Sequence, residues 1–215
     1  MGTETAGLRE AKKQETRQLI SDHATRLFLE QGFEDTTIAE IADAARVAKK
    51  TVTNYFARKE DMALDHQEAF AGALARTVAD RAPGESALGA LRRAFGEDVG
   101  RRSPVAGFSG LPFARMVADS PTLTARLRDL HDRREEELAR ALAEATAAAP
   151  EDITPAAAAA QLAAAHRLLF GRIQELTLAG HPVDAVAESV VQDAERVFAM
   201  LEPALDGYAV APPAD

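Results

Sequence analysis

The chain has 215 residues, of which 47% are hydrophobic and 27% charged, and it contains no cysteine. This composition is typical of a globular protein and excludes a disulfide framework and thiol chemistry; no apolar run is long enough to span a membrane. Because the N-terminus also lacks the apolar segment of a signal peptide, we expect a cytoplasmic protein with no membrane partner.

Residues 36–56 predict two short helices around a tight turn, after an amphipathic first helix that ends near Gly32. Thr37 and Glu40 have the spacing of a capping box, so the first short helix begins there. The second follows Val47, and its surface would carry cations, hydroxyls and an amide suited to phosphates and base edges. These side chains are Lys49, Lys50, Thr51, Thr53, Asn54 and Tyr55. The pattern predicts a DNA-reading helix-turn-helix.

The formal net charge of −9 disfavours a nucleic-acid partner, because phosphate neutralisation supplies most of the non-specific affinity. The charge is unevenly distributed, however: residues 1–66 hold 10 Lys and Arg against 12 Asp and Glu, a balance of −2 that leaves −7 for the remainder. The cations that would form one basic rim are Lys12, Lys13, Arg17, Arg46, Lys49, Lys50, Arg58 and Lys59. The alternative is that they are ordinary solvated charges.

The order of these motifs resembles the start of TetR-family regulators, over about Lys12 to Leu64. The matching motifs are Gly32-Phe33, Thr36-Thr37-Ile38, Tyr55-Phe56 and Lys59-Glu60-Asp61. By resemblance, Tyr55 and Lys59 contact phosphates and Thr37 caps the second helix against the DNA backbone. The resemblance also places Lys49, Lys50, Thr51 and Asn54 in or beside the major groove.

Two positions depart from the family pattern. Arg46 stands where the family usually has glycine, and Thr53 stands where it often has tyrosine. The turn at Arg46 is expected to need a left-handed backbone, which costs an arginine about 1 kcal/mol. The departure bears on how the turn presents its base contacts, not on the fold.

From residue 59 onward only helices are predicted, because apolar residues recur every three or four positions and helix-breaking residues are far apart. The expected spans are 59–81, 86–99, 108–118, 121–147, 155–180 and 182–201. The chain is therefore expected to be all-α, with an N-terminal three-helix DNA-binding domain and a C-terminal helical ligand-binding and dimerisation domain. The predicted domains are 1–58, with 1–10 as a disordered arm, 59–205, and a flexible tail at 206–215.

The last two predicted helices carry more apolar surface than one neighbour need cover. Leu162, Leu169 and Ile173 form one stripe, and the small residues Ala164 and Gly171 lie roughly opposite. In TetR-like proteins the last two helices pair with their symmetry mates in a four-helix bundle, so the resemblance implies a homodimer. A two-fold dimer favours a palindromic operator. The alternative for these stripes is intrachain core.

The resemblance also implies that a small-molecule effector binds among the central helices and changes the separation of the two DNA-reading heads. The candidate pocket walls are Phe70, Phe95, Phe108, Phe113, Met116, Leu127 and Phe170, with His66, His131 and His166 as polar anchors. Each of these is also explained as ordinary core or as an ordinary histidine.

Motifs of enzymes and metal sites are lacking in this sequence, so we expect no enzyme, no cofactor and no metal. His131 and Glu135 stand four apart and could ligate a metal, but a surface pair is the simpler interpretation. The charged run 133–137 is interpreted as a solvated face. The sequence favours a ligand-responsive repressor that binds double-stranded operator DNA. The alternatives are a helical small-molecule binding or adaptor protein with a non-functional helix-turn-helix and, less favoured, an all-α enzyme.

Overall fold

A computed structural model of the protein describes residues 2–213, and for residues 2–6 and 8–10 it describes the backbone alone. Every regular element in that range is a helix, so the all-α prediction is confirmed. The helices are α1 (Gly2–Gln31), α2 (Ile38–Ala44), α3 (Lys49–Tyr55), α4 (Glu60–Ala63), α5 (Gln67–Ala71), α6 (Ala73–Ala79), α7 (Ala87–Gly100), α8 (Leu111–Asp119), α9 (Pro121–Thr146), α10 (Thr154–Leu178) and α11 (Val183–Leu205).

The chain divides into two compact units. Unit 1 comprises Met1–Gln67 and Met116–Arg126, and unit 2 comprises Glu68–Arg115 and Leu127–Asp215. This division departs from the predicted boundary after residue 58, because the chain returns to unit 1 at the end of α8 and the start of α9. The return is held by Ser120, which donates to the Glu34 carboxylate and caps α9 through the Leu123 N–H at 3.1 Å.

Unit 1 is built around α1, which packs against α2 and α4, while α2 packs against α3. Ile20, Ile41 and Val52 have no exposed surface, and Phe28 is 1% exposed. The Phe28 and Phe33 rings meet at a centroid distance of 4.9 Å. Apolar contacts between helices thus fix the position of α3, the predicted DNA-reading helix.

Helix α1 begins at Gly2, so the expectation of a disordered arm at residues 1–10 was wrong for residues 2–10; Met1 lies outside the described residues. The segment is rich in strong helix formers, Glu, Ala, Leu and Arg, and has no proline. Extending an existing helix adds a hydrogen bond for each residue fixed, so α1 propagates toward the N-terminus at little cost.

The predicted single helix 59–81 is three short helices, α4, α5 and α6. The first break follows Leu64, whose backbone has φ −112° and ψ 50°. The Ser21 hydroxyl from α1 bonds the Met62 carbonyl at 3.1 Å and the Asp65 carboxylate at 2.7 Å. In a continuous helix the Met62 carbonyl would accept from the residue four positions later. The second break is at Gly72, where an added Cβ would collide with the Arg76 guanidinium.

Unit 2 has its core between α7, α10 and α11, with α6 packed on α7. Ser86 begins α7 as predicted, since its hydroxyl accepts from the Gly89 N–H at 3.1 Å. Leu91, Leu162 and Val190 have no exposed surface. Most of the apolar periodicity in this half of the sequence is therefore intrachain core.

The C-terminal tail differs from its prediction. Helix α11 continues through Pro203 to Leu205, and the expected flexible tail packs on unit 2 at residues 206–213; Ala214 and Asp215 lie outside the described residues. Two backbone hydrogen bonds of 3.0 Å join Ala211 to Gly84 and Glu85. Because Ala209 is also buried and its carbonyl accepts from Arg81 at 2.8 Å, the tail gains both packing and hydrogen bonds.

Candidate nucleic-acid interface and ligand cavity

The turn between α2 and α3 has the geometry that the sequence predicted. Arg46 has a φ of 54°, in the left-handed region. The N–H of Val47 reaches back to the Ala42 carbonyl at 2.9 Å and that of Arg46 to the Asp43 carbonyl at 3.1 Å. These bonds satisfy carbonyls at the end of α2 and reverse the chain. An arginine thus occupies a glycine-type position without opening the turn.

Helix α2 begins with the complete capping box. The Thr37 N–H donates to the Glu40 carboxylate at 2.8 Å, and the Glu40 N–H donates to the Thr37 hydroxyl at 3.3 Å. The backbone hydrogen bond from Thr37, followed by that of its hydroxyl, lowers the pKa of Glu40. Thr37 therefore fixes the start of α2 while its side chain remains on the surface.

One face of α3 is polar and exposed. Lys49, Lys50, Thr53 and Asn54 follow an i, i+1, i+4, i+5 spacing and are exposed, whereas Val52 is fully buried on the other side. Thr53 donates to the Lys50 carbonyl at 3.1 Å, and Thr51 and Tyr55 are half-buried at the edges. The side chains of Lys49, Lys50 and Asn54 make no hydrogen bond to any other described side chain or to the described backbone, so their donors face water.

Arg17 holds the end of α3 instead of facing solvent. Its guanidinium donates to the Tyr55 carbonyl at 2.7 Å and lies 4.2 Å from the centre of the Phe56 ring. A cation at a helix C-terminus satisfies a free carbonyl and the negative end of the helix dipole. Lys13 lies one turn earlier on the same face of α1, and it is exposed, as is Lys12.

Lys59 also differs from its expected role as a phosphate contact. Its ammonium donates to the carbonyls of Phe33 at 2.7 Å, Thr36 at 3.0 Å and Glu34 at 3.2 Å. It also lies 4.3 Å from the centre of the Phe33 ring. Since an ammonium has three donors, all of them are used within the chain. Lys59 thus positions the segment between α1 and α2.

Two aromatic clusters occupy unit 2. In the first, the rings of Phe70, His131 and Phe170 meet edge to face at centroid distances of 5.1 to 5.7 Å. In the second, the rings of Phe95, His166 and Phe198 meet at 5.5 to 6.0 Å. Together the two clusters contain five of the ten residues predicted for the ligand site, namely Phe70, Phe95, His131, His166 and Phe170.

A small cavity lies beside the second cluster. Its volume is about 20 Å³, room for about one water molecule. Its lining residues are Ala73, Leu74, Thr77, Leu91, Ala94, Phe95, Asp98, Val105, Ala106, Arg134 and His166. Of the predicted pocket residues, Phe95 and His166 thus line it.

The remaining predicted pocket residues lie elsewhere. Phe108 borders a separate open depression, and its ring lies 5.7 Å from the Arg102 guanidinium. Phe113 and Leu127 are half-buried and do not line the small cavity. Met116 and His66 belong to unit 1, apart from the cavity, and the His66 side chain is 78% exposed beside Asp65. Side-chain chemistry alone did not indicate which unit each residue joins.

Arg134 is the cavity residue that the sequence interpretation missed. The charged run 133–137 predicts a solvated face, but Arg134 is only 5% exposed, whereas its neighbour Arg133 is on the surface, paired with Glu68 and Glu137. Its guanidinium lies 4.6 Å from the centre of the Phe70 ring. The available signal was spacing, because Arg134 stands four residues from both Leu130 and Leu138 on a buried stripe.

Burial controls the protonation of this region. Loss of solvent, then the charges of Arg134 and Arg167, lowers the pKa of His131 to about 4. The same causes, burial first and Arg134 second, lower the pKa of His166 well below its usual value. Burial lowers the pKa of Arg134 to about 10, with partial compensation by Asp98. At neutral pH the region therefore holds two neutral imidazoles and one cation.

The sequence comparisons support the assignment that the motifs suggested. Residues 20–65 match the family model of bacterial regulatory proteins, tetR family. The HTH-type transcriptional regulator TcmR of Streptomyces glaucescens is 34% identical over 142 residues, which are 64% of this chain and 63% of that protein. The chain is therefore similar to TetR-family regulators, most clearly in its helix-turn-helix. The alignment spans less than two thirds of TcmR.

Solved structures show the same fold. A Syntrophomonas wolfei protein assigned to the TetR-family transcriptional regulators has a TM-score of 0.57 at 19% identity, over 86% of this chain and 96% of that one. SmeT in complex with triclosan has a TM-score of 0.54 at 20% identity, over 93% and 96%. The TetR-like arrangement of an N-terminal helix-turn-helix and a helical C-terminal region is thereby confirmed.

Among the described helices, none combines the length and apolar character needed to cross a membrane. Within the same part of the chain, no three His, Asp or Glu side chains form a group that could hold a metal ion.

Proposed function

We propose that the protein is a ligand-responsive transcriptional repressor that binds a palindromic double-stranded DNA operator in the cytoplasm as a homodimer. The observation that carries this proposal is the exposed face of α3, where Lys49, Lys50, Thr53 and Asn54 keep their polar groups available. A helix of this kind enters the major groove, where an amide reads base edges and cations contact phosphates.

The supports of α3 strengthen the proposal. The Arg46 turn, the Thr37 cap and the Arg17 bond each fix one end of a helix in the motif. A rigid reading helix keeps its side chains in register with the bases, which specificity requires. In this proposal Arg17 and Lys59 position the motif, whereas Lys12, Lys13, Arg46 and Tyr55 contact the DNA backbone and Thr51 lies beside the groove.

A homodimer through α10 and α11 is supported by apolar surface that unit 2 leaves uncovered. Leu168 is 62% exposed, and it shares a stripe with the exposed small residues Ala164 and Gly171. An added Cβ at Gly171 would meet no atom within 4 Å, so this glycine is not required by packing within the chain. On α11, Val191 is 42% and Met200 80% exposed. A second copy of the chain would cover these side chains.

The dimer is tested by replacing Leu168 with Glu and measuring mass by sedimentation equilibrium. We expect Leu168→Glu to be monomeric at concentrations where the wild type is dimeric, because a charge would be buried at the interface. Ile153→Glu is the matched control, since Ile153 is an apolar residue 77% exposed at the start of α10. Equal masses for Leu168→Glu and the wild type would contradict this interface.

The effector site is proposed in unit 2, at the cavity lined by Phe95, His166 and Arg134. SmeT, whose solved structure is a complex with triclosan, is a protein of the same fold with a bound small molecule. An effector can change the affinity of the protein for DNA only if it binds the DNA-fitting and non-fitting conformations of the protein with different affinities.

The function is tested by selecting bound sequences from a random duplex pool with the purified full-length protein at near-physiological salt. We expect enrichment of a palindromic motif. Lack of enrichment at any salt concentration would contradict the proposal and favour a binding protein with an inactive helix-turn-helix. The left-handed Arg46 turn argues against that alternative, because the family departure at this position leaves the turn intact.

A further inference from the structure

A buried cation in unit 2 has no counter-ion. Arg134 is 5% exposed, and no carboxylate lies within 4.0 Å of its guanidinium among the side chains that the structure describes. Asp98 lines the same cavity but accepts from Arg101 at 3.0 Å instead. The Phe70 ring 4.6 Å away attracts the charge, yet a ring face does not accept the Arg134 N–H groups as an oxygen would.

Two polar atoms on this cavity lack a partner. The Nε atom of Arg134 and the Nε2 atom of His166 are both fully buried and make no hydrogen bond within the described residues. Buried polar groups are almost always satisfied, and an unpaired buried charge is among the costliest features a fold can retain. Because both residues line one cavity, a single molecule could satisfy both.

The rest of the wall selects the shape of that molecule. Leu91, Phe95 and Val105 supply apolar and aromatic surface, so the body of the molecule is flat and apolar. Arginine presents parallel N–H donors that match the two oxygens of a carboxylate.

We propose that this cavity binds an aromatic carboxylate, whose oxygens pair with Arg134 and whose apolar ring packs on Phe95 beside His166. This inference deepens the proposed function by naming the chemical class of the effector. It rests on that function only for the claim that binding of the carboxylate changes binding of DNA. The cavity volume of about 20 Å³ is smaller than such a molecule. Binding therefore requires the walls to separate.

Helix α9, which carries Arg134, contributes residues to both units. Its residues up to Arg126 belong to unit 1 and those from Leu127 to unit 2. Arg126 donates to the Asp61 carboxylate at 3.2 Å, two turns before Arg134 on the same helix. A change in the position of α9 on pairing of Arg134 would thus reach Asp61 in α4.

The test uses two pairs of probes that differ in charge alone: benzoate with benzamide, and 1-naphthoate with 1-naphthamide. Calorimetric titration of the full-length wild type should show saturable binding of at least one carboxylate, one per chain. The matching amide should bind at least tenfold more weakly, because it cannot neutralise Arg134. The proposal is overturned if neither carboxylate binds or if carboxylate and amide bind equally.

Variants locate the site. Arg134→Met should lower carboxylate affinity at least tenfold, while Arg128→Gln, an exposed position on the same helix, should leave it unchanged. Unchanged affinity in Arg134→Met would overturn the assignment. The methionine removes an unpaired buried charge, so we expect a raised melting temperature in the absence of probe. Should the variant not fold, the comparison of carboxylate with amide in the wild type still decides the question.

Failure of this inference is distinguishable from failure of the proposed function, because probe binding is measured without DNA. Enrichment of a palindromic duplex without carboxylate binding would overturn the effector class and leave the repressor proposal standing. Carboxylate binding through Arg134 without any DNA enrichment would overturn the repressor proposal and leave the carboxylate site standing.

Discussion

The α3 face and the Arg134 cavity both present unpaired cations, but their surroundings differ. Lys49 and Lys50 are exposed, so water solvates their charges and they cost the fold little. Arg134 is buried, so its unpaired charge is costly. Exposed cations suit a partner with many phosphates, and a buried one suits a single small anion. The comparison shows that lack of a partner is informative only when burial is known.

The same contrast exists within unit 1. Arg17 and Lys59 belong to the predicted basic rim, yet both donate to backbone carbonyls. Lys49 and Lys50 do not. Four cations of one rim therefore divide into two that build the motif and two that remain available for DNA.

The largest expected effect is at Lys59. Lys59→Met leaves the carbonyls of Phe33, Glu34 and Thr36 without their donor, and we expect a loss of about 3 kcal/mol in the free energy of unfolding. Urea unfolding measures it. The matched control is Arg58→Met, since the Arg58 side chain is 61% exposed and should change stability by less than about 0.5 kcal/mol. An equal loss of unfolding free energy in both variants would mean that Lys59, like Arg58, is an ordinary surface cation.

The next effect is a pH dependence in unit 2. Because the folded pKa of His131 is about 4, below its usual 6.5, the unfolded chain binds more protons between these values. Stability is therefore complete above about pH 6.5 and falls as the pH drops toward 4, by about 3 kcal/mol from this residue. The measurement compares urea unfolding of the wild type and His131→Phe at pH 7 and pH 4.5. Identical pH dependence of the two would contradict a buried neutral imidazole.

A smaller effect is expected at the α3 face, measured by fluorescence anisotropy on a selected duplex. Asn54→Ala should lose about 1–3 kcal/mol of affinity and relax specificity at its base position. Lys49→Ala should weaken binding to all sequences and reduce the salt slope by about 1. Arg140→Ala, an exposed cation of unit 2, is the control. Wild-type affinity in both α3 variants would remove α3 from the interface.

The smallest effect is at the turn. Arg46→Gly removes the cost of a left-handed φ of 54°, while glycine adds freedom to the unfolded chain, so we expect stabilisation of no more than about 1 kcal/mol. Thermal unfolding measures it. Destabilisation would mean that the Arg46 side chain contributes contacts of its own to the motif.

Local features of the helix-turn-helix were predictable from sequence. The Thr37 and Glu40 cap, the left-handed Arg46 and the polar face of α3 each depend on residues a few positions apart. The helix break after Leu64 was not predictable, because the hydrogen bond that accompanies it comes from Ser21, 41 residues before Met62. The role of Lys59 was likewise hidden, since its carbonyl partners lie 23 to 26 residues earlier.

The position of the cavity in unit 2 was predictable in part. Aromatic residues and histidines at helical spacing indicated Phe95 and His166, but their chemistry could not separate the cavity from the neighbouring cluster of Phe70 and Phe170. The charge run that contains Arg134 favoured a solvated interpretation. Its place between Leu130 and Leu138 indicated burial, and spacing was the better guide than charge.

Hydroxyl-radical footprinting of a selected duplex tests the central claim, that a dimer reads DNA through the exposed face of α3. The wild type should protect two symmetric patches, one in each half-site, related by the two-fold axis of a palindrome. Asn54→Ala should weaken both patches together. A single asymmetric patch, or protection that does not depend on Asn54, would contradict the account.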